Sequence, residues 1–121
     1  MIKILLVDDQ PAVRDGLRMR LELEPDLTIV GEARDGQEAV ALAQTLVPDV
    51  AVMDVEMPGL DGIEAARQLQ ERAPAMAIVM LSIHCDAATQ SRAREAGAIA
   101  FVEKRAAIGV LLAEIRRAAL A

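Results

Sequence analysis

Short uninterrupted apolar runs recur along the chain, each ending in polar or charged residues and each followed by a segment whose apolar positions fall three or four apart. Lys3-Ile4-Leu5-Leu6-Val7 runs into Asp8-Asp9, Leu27-Thr28-Ile29-Val30 follows, and Val50-Ala51-Val52-Met53 runs into Asp54. Ala77 to Leu81 is closed by Ser82, and Ala98 to Val102 exits into Glu103-Lys104. Runs this short, rich in β-branched residues and apolar at successive positions, read as strands buried on both faces. The intervening pattern is helical. Val13, Leu17 and Leu21 predict a helix from Pro11 to Glu24, with Pro11 in its first turn and Pro25 closing it. The Asp35-Gly36 turn opens a second helix, expected to bury Ala39, Val40, Leu42, Ala43 and Leu46 before Pro48. Ile63, Ala66, Leu69 and Gln70 mark a third, ending near Pro74. An Ala-rich helix spans about Asp86 to Ala96 with Gly97 beyond its end, and Ile108, Leu111, Leu112, Ile115 and Leu120 stripe the last.

Five strands alternating with five helices predict an α/β fold, a (βα)5 parallel sheet covered on both faces. Right-handed crossovers place every strand exit on one edge, where open α/β sheets bind ligands. Asp8, Asp9, Asp54, Ser82 and Lys104 all stand at or just past strand ends, so they are expected to meet there. Asp54, at the end of its strand and followed by the Pro58-Gly59 break, is the residue expected to carry the chemistry.

Composition narrows the function. At 121 residues the chain is read as one domain, 1–121. No uncharged apolar stretch approaches the ~20 residues of a membrane span, and no signal peptide precedes the first strand, so a soluble, cytoplasmic protein with no membrane partner is expected. A single cysteine, Cys85, and a single histidine, His84, exclude an internal disulfide and His- or Cys-based metal clusters. The net charge of -6, with no Trp or Tyr and one Phe, argues against nucleic-acid binding by this segment.

Three carboxylates in one crevice need an opposing charge. At about 5 Å and an effective dielectric near 20 each pair repels by roughly 3 kcal/mol. Lys104 supplies one positive charge, and a hard divalent cation is the obvious second source. Carboxylate donors without a His or thiolate cluster suit Mg²⁺, which takes one or two carboxylates and is completed by water and phosphate. A carboxylate, a Mg²⁺ site, a lysine and a hydroxyl are the parts for phosphoryl transfer to aspartate: Asp54 as acceptor, Mg²⁺ and Lys104 neutralising the transferred oxygens, Ser82 donating a hydrogen bond.

The pattern Asp8-Asp9, Asp54 with Met57-Pro58-Gly59 and Asp61-Gly62, Ser82 and Lys104 resembles the receiver domain of two-component response regulators over the whole chain. Gly31-Glu32-Ala33, Asp35-Gly36, Glu38-Ala39, Pro48-Asp49 and Glu64-Ala65 are similar to its NarL/LuxR-type branch. The resemblance implies a flavodoxin-like (CheY-like) doubly wound sheet of strand order 2-1-3-4-5. It also implies a non-enzymatic phosphoacceptor switch: Asp54 accepts a phosphoryl group from a sensor histidine kinase, and Asp9 and Asp54 bind Mg²⁺ directly. Asp8 binds the ion through water, and the Glu56 backbone carbonyl completes the protein ligands. Ser82 then moves toward the phosphoryl group and Phe101 repacks inward. Glu56 and His84, two residues beyond Asp54 and Ser82, are expected to modulate phosphoryl loss by restricting or orienting the hydrolytic water.

Arg14 and Arg18 are candidate kinase contacts. Homodimerisation on phosphorylation is expected through the fourth helix, with Arg92 and Arg94, the fifth strand and the last helix. Transcriptional output through DNA is expected from a domain beyond Ala121, absent from this chain. Cys85, near the site, is an oxidisable candidate. The chain departs from the family in having Arg105 after the lysine, where proline is common, and Gln10 where the branch often has His. A phosphatase or mutase similar to the haloacid-dehalogenase group is the enzymatic alternative. That group needs a second aspartate two residues after the nucleophile, where this chain has Glu56, and a cap domain for which there is no length.

Overall fold

In the computed structural model, which describes residues 1–56, 62–84 and 86–120, strands and helices alternate without exception. The order is β1 (Ile2–Val7), α1 (Pro11–Leu21), β2 (Leu27–Ala33), α2 (Gly36–Leu46), β3 (Val50–Asp54), α3 (Gly62–Arg72), β4 (Ala77–Ser82), α4 (Ala87–Glu95), β5 (Ala100–Glu103) and α5 (Ile108–Ala119). The five strands form one sheet in the order β2-β1-β3-β4-β5, with every neighbouring pair parallel. The expected (βα)5 architecture and strand order are thus those observed. The Met57 to Asp61 part of the motif, Cys85 and Ala121 lie outside the described residues.

The uninterrupted apolar runs are explained by burial on both faces. Leu5, Val7, Ala51, Met53, Ile78 and Met80 pack into one layer with residues of α2, α3 and α4. Their neighbours Ile4, Leu6, Val50, Val52, Val79 and Leu81 pack into the opposite layer with Leu21, Leu111 and Ile115 of α1 and α5. Successive strand side chains alternate between faces, so a strand covered on both sides has no position left for a polar residue until its end. All five residues of β3 are buried, Asp54 among them.

Element ends differ from the sequence expectation in physically legible ways. The second strand runs on past Val30 to Ala33 because β1 continues to pair with it, Leu6 opposite Glu32 and Val7 opposite Ala33. As an edge strand it tolerates the half-buried Glu32. The fifth begins at Ala100 rather than Ala98, and α1 ends at Leu21, short of Glu24. Leu42 and Leu46 are half-buried, Gln70 is exposed, and Leu120, expected on the apolar stripe of α5, is 89% exposed just past its end. Helix starts behave as the sequence implies: Asp35 caps α2 by accepting from the Glu38 N–H at 2.8 Å, and Asp86 caps α4 by accepting from the Thr89 N–H at 3.0 Å. Gly97 follows α4 with φ 110°. At the end of α2, however, Val47 sits at φ 48°, ψ 60°, a left-handed conformation that a β-branched residue adopts only under strain. Its side chain is mostly exposed, so Val47→Gly forfeits little packing and is expected to stabilise the protein by about 1 kcal/mol. A thermal or urea midpoint at or below wild type would contradict that.

The topology determines where a site can form. From β1 the chain moves one way to β2 and later returns on the other side as β3, so α1, which follows β1, and α3, which follows β3, lie on opposite faces. The crevice at the carboxyl ends of β1 and β3 is the switch point of the sheet.

Candidate functional site

Asp8 follows β1 at this crevice and is buried, its own N–H donating to the Ala33 carbonyl at 3.0 Å. Its Oδ1 accepts from the Gln10 N–H at 2.9 Å, and its carbonyl accepts from Arg14 Nη1 at 2.6 Å. Asp8 Oδ2 has no hydrogen-bond partner among the described residues and faces Lys104 Nζ at 3.4 Å. Asp54 ends β3, also buried, with Oδ1 accepting from the Glu56 N–H at 3.1 Å and Oδ2 accepting from Lys104 Nζ at 2.9 Å. Asp9, half-buried, completes a group in which one carboxylate oxygen from each of Asp8, Asp9 and Asp54 lies within 4.8 Å of the others.

Lys104 reaches the crevice from the end of β5, where its N–H donates to the Ser82 carbonyl at 2.8 Å. Three strand exits are therefore joined by one ammonium. Burial lifts the Asp54 carboxyl above the ordinary carboxylate range; the hydrogen bond from Lys104 opposes this and the charge of Asp8 adds to it. Burial works against the charge on Lys104, yet its hydrogen bond to Asp54 and the charges of Asp54 and Asp8 outweigh that and raise its pKa. Five oxygen or ammonium groups predicted from strand ends are thus at one edge. Among the described residues, these three carboxylates, all hard oxygen donors, form the group that could hold a cation.

Ser82 ends β4, is fully buried, and donates its hydroxyl proton to Glu56 Oε2 at 2.6 Å. Glu56 Oε1 accepts from the Ile83 N–H at 3.0 Å, and the His84 N–H donates to Ser82 Oγ at 2.9 Å. Glu56 is half-buried and bonded to the β4 exit, whereas His84 contributes its backbone N–H and keeps its side chain exposed. Phe101 is half-buried on β5, packed against the layer formed by α2, α3 and α4. Among the described residues no peptide bond is cis, so the backbone at Lys104-Arg105 is trans.

Two arginines of α1 are held by one carboxylate of β2. Arg14 and Arg18, candidate partner contacts on α1, both turn to Glu32 of β2, Arg14 Nε at 3.1 Å from Oε1 and Arg18 Nη2 paired with Oε2. Arg14 also supports Asp8 through its carbonyl, a role no local pattern signals because Glu32 and Asp8 are brought to α1 only by strand pairing. A second residue missed from sequence is Gly62 as a packing element. Its N–H donates to the Val55 carbonyl at 3.0 Å, and it is packed so closely under the Asp54 backbone that a side chain there has no room.

A family model described as the response regulator receiver domain matches residues 4–116. The chain is 41% identical over 118 residues to the transcriptional regulatory protein LiaR of Bacillus subtilis, covering 98% of this chain and 56% of that protein. It is 43% identical over 111 residues to protein-glutamate methylesterase/protein-glutamine glutaminase 2 of Methanospirillum hungatei, covering 90% of this chain and 32% of that protein. The chain spans about half or less of the length of these curated relatives. Among solved structures, the response regulator domain of Thermotoga maritima CheB superposes with a TM-score of 0.91 at 36% identity, covering 100% of this chain and 98% of that one. A LuxR-family two-component response regulator from Aurantimonas sp. SI85-9A1 superposes with a TM-score of 0.93 at 37% identity, covering 98% and 84%.

Proposed function

This chain belongs to the response regulator receiver domain family, and from that membership we propose that it is a phosphoacceptor switch in which Asp54 takes a phosphoryl group from a phosphohistidine of a sensor kinase. The observation that carries the reading is the join of Asp54 Oδ2 to Lys104 Nζ at 2.9 Å beside the carboxylates of Asp8 and Asp9. A carboxylate oxygen of Asp54 forms a bond to phosphorus as the bond between phosphorus and the donor imidazole nitrogen breaks. The imidazole departs with that electron pair and is left to take a proton from solvent. Lys104, already held against Asp54, neutralises charge on the arriving group, and Ser82 has a hydroxyl to offer it.

The residues present fit Mg²⁺. Asp8 Oδ2 is a buried acceptor with no hydrogen-bond partner among the described residues, and the donors around it are all oxygen. Asp8, Asp9, Asp54 and the Glu56 backbone carbonyl would hold the ion. When bound, Mg²⁺ supplies positive charge to offset that of the carboxylates and of the phosphoryl oxygens.

The kinase is the partner of the input step, and its product is this chain's own aspartyl phosphate rather than a released small molecule. Output runs through the surface of α4, β5 and α5, with homodimerisation as one consequence. It reaches transcription through a DNA-binding domain beyond Ala121, with residues 1–121 forming the receiver domain; relatives such as LiaR of Bacillus subtilis, named as transcriptional regulators and longer than this chain, support that reading. A cytoplasmic location accords with it, and among the described residues no helix is long and apolar enough to cross a membrane.

Incubation with Mg²⁺ and acetyl phosphate is expected to add the mass of one phosphoryl group, removed by hydroxylamine as befits an acyl phosphate, and Asp54→Asn is expected to show none. Equal labelling of wild type and Asp54→Asn would overturn the assignment, as would no labelling of either.

A further inference from the structure

The carboxylate of Glu56 spans two donors at the exit of β4, one on each oxygen: the Ser82 hydroxyl at 2.6 Å and the Ile83 N–H at 3.0 Å. Both donors belong to the two residues that follow Leu81, the register partner of Asp54. In the sheet register Asp54 lies opposite Leu81, and the next N–H along, Val55, donates to the Leu81 carbonyl at 2.9 Å. Ser82 has only one proton to give, and the His84 N–H already fills one of its acceptor positions, so the Ser82 hydroxyl proton is committed to Glu56. A carboxylate bridging an O–H and an N–H in this way presents two anionic oxygens at a set spacing, which is also what two oxygens of a phosphoryl group on Asp54 would present.

We propose that Glu56 is a positioning residue: its carboxylate stands in for phosphoryl oxygens in the resting protein, holding the Ser82 hydroxyl and the Ile83 amide until a phosphoryl group on Asp54 displaces it. This rests on the phosphoacceptor reading and adds a competitor internal to the chain. The two anions cannot share the one Ser82 proton, so phosphorylation releases the Glu56 side chain from the β4 exit. The backbone N–H of Glu56 donates to Asp54 Oδ1 at 3.1 Å, which ties the competitor to the strand whose carboxylate it answers.

Two measurements test this, one of them free of metal and phosphate. In the resting protein, Glu56→Ala is expected to speed hydrogen exchange of the Ile83 amide about tenfold or more, with the Met53 amide in the core unchanged. Glu56→Gln, which keeps an acceptor without the charge, falls between. With Mg²⁺ present, beryllofluoride followed by fluorine NMR is expected to half-saturate Glu56→Ala at about tenfold lower concentration than wild type, the order of one charge-assisted hydrogen bond no longer competed for. In a Ser82→Ala background the same substitution should gain about threefold or less, because only the Ile83 amide remains to be released. An unchanged Ile83 exchange rate overturns the proposal. So does an equal gain with and without Ser82, which would make Glu56 a source of charge repulsion only. Failure of wild type and every variant to take beryllofluoride, with Asp54→Asn behaving alike, overturns the phosphoacceptor reading itself and the proposal with it.

Discussion

Gly62→Ala is expected to destabilise the protein by about 2–4 kcal/mol, among the largest losses that one methyl group can produce. A Cβ built at Gly62 lies 2.1 Å from the Asp54 carbonyl oxygen and 2.7 Å from the Val55 Cα. Both are backbone atoms of the β3 exit, and neither can rotate away as a side-chain tip would. Accommodation requires α3 to lift from the sheet or the segment bearing Asp54 to move, and Gly62 is bonded to that segment through Val55. On the proposed function, the folded fraction that survives should also take phosphoryl groups more slowly. Gly16 and Gly109 provide the contrast, since a Cβ at either meets nothing within 4 Å and both lie within helices. Alanine at those positions is expected to gain about 0.5–1 kcal/mol from helix propensity alone. Urea unfolding of the three variants checks the set, and a Gly62→Ala midpoint close to that of wild type would refute the packing argument.

The sheet, its order and the gathering of strand-end residues were legible because each rests on a one-dimensional signal. An apolar run ending in an acid is visible in sequence, and parallel right-handed crossovers carry all such ends to one edge. Asp8, Asp54, Ser82 and Lys104 were found this way. What sequence could not reveal were contacts made between elements distant along the chain. Glu56 and Ser82 are 26 residues apart, and the pairing of Asp54 with Leu81 that brings them together is a matter of register. The ion pairs of Arg14 and Arg18 with Glu32 left no sequence signal, because Glu32 lies beyond Val30, where the apolar run ends, on a strand that in fact continues to Ala33. Gly62 stood in the quoted motif without a role, its crowding beneath Asp54 being a property of how α3 docks. Helix ends misjudged by a few residues, such as that of α1, follow from the same cause: periodicity extends until a tertiary contact or its absence stops it.

The second large effect expected is at Lys104. Lys104→Met should lower the stability of the metal-free protein at pH 7 by about 2–3 kcal/mol, the cost of removing one partner from a buried charge pair, reduced because the ammonium is 21% exposed. The methionine keeps most of the stem, so packing changes little; what is lost is the charge lying 2.9 Å from Asp54 and 3.4 Å from Asp8. The pH dependence identifies the cause. Asp54 has a raised pKa in the folded protein, so from about pH 4, its ordinary value, up through that raised value the folded state holds more protons than the unfolded, and stability falls as pH rises. Without Lys104 the opposition to that rise is gone, the interval widens and the fall deepens. The deficit of Lys104→Met should accordingly be largest at neutral pH and shrink toward pH 4, where Asp54 takes up its proton. Lys104 itself, also raised, contributes stability that is fully present below about pH 10.4 and is lost as pH climbs through its folded value, so the wild type loses its advantage over Lys104→Met at the alkaline end as well. Asp54→Asn in the Lys104→Met background should recover most of the loss, and Asp54→Asn alone should leave the metal-free protein more stable than wild type at pH 7. Mg²⁺ should restore Lys104→Met toward wild type while doing little for Asp54→Asn, by binding only where the carboxylates are ionised and gathered. A deficit equal at pH 4 and pH 7 and indifferent to Asp54→Asn would assign the Lys104 contribution to packing. The charge dependence expected instead means that stability is held down by the ionised Asp54, the same group the proposed phosphoryl transfer requires.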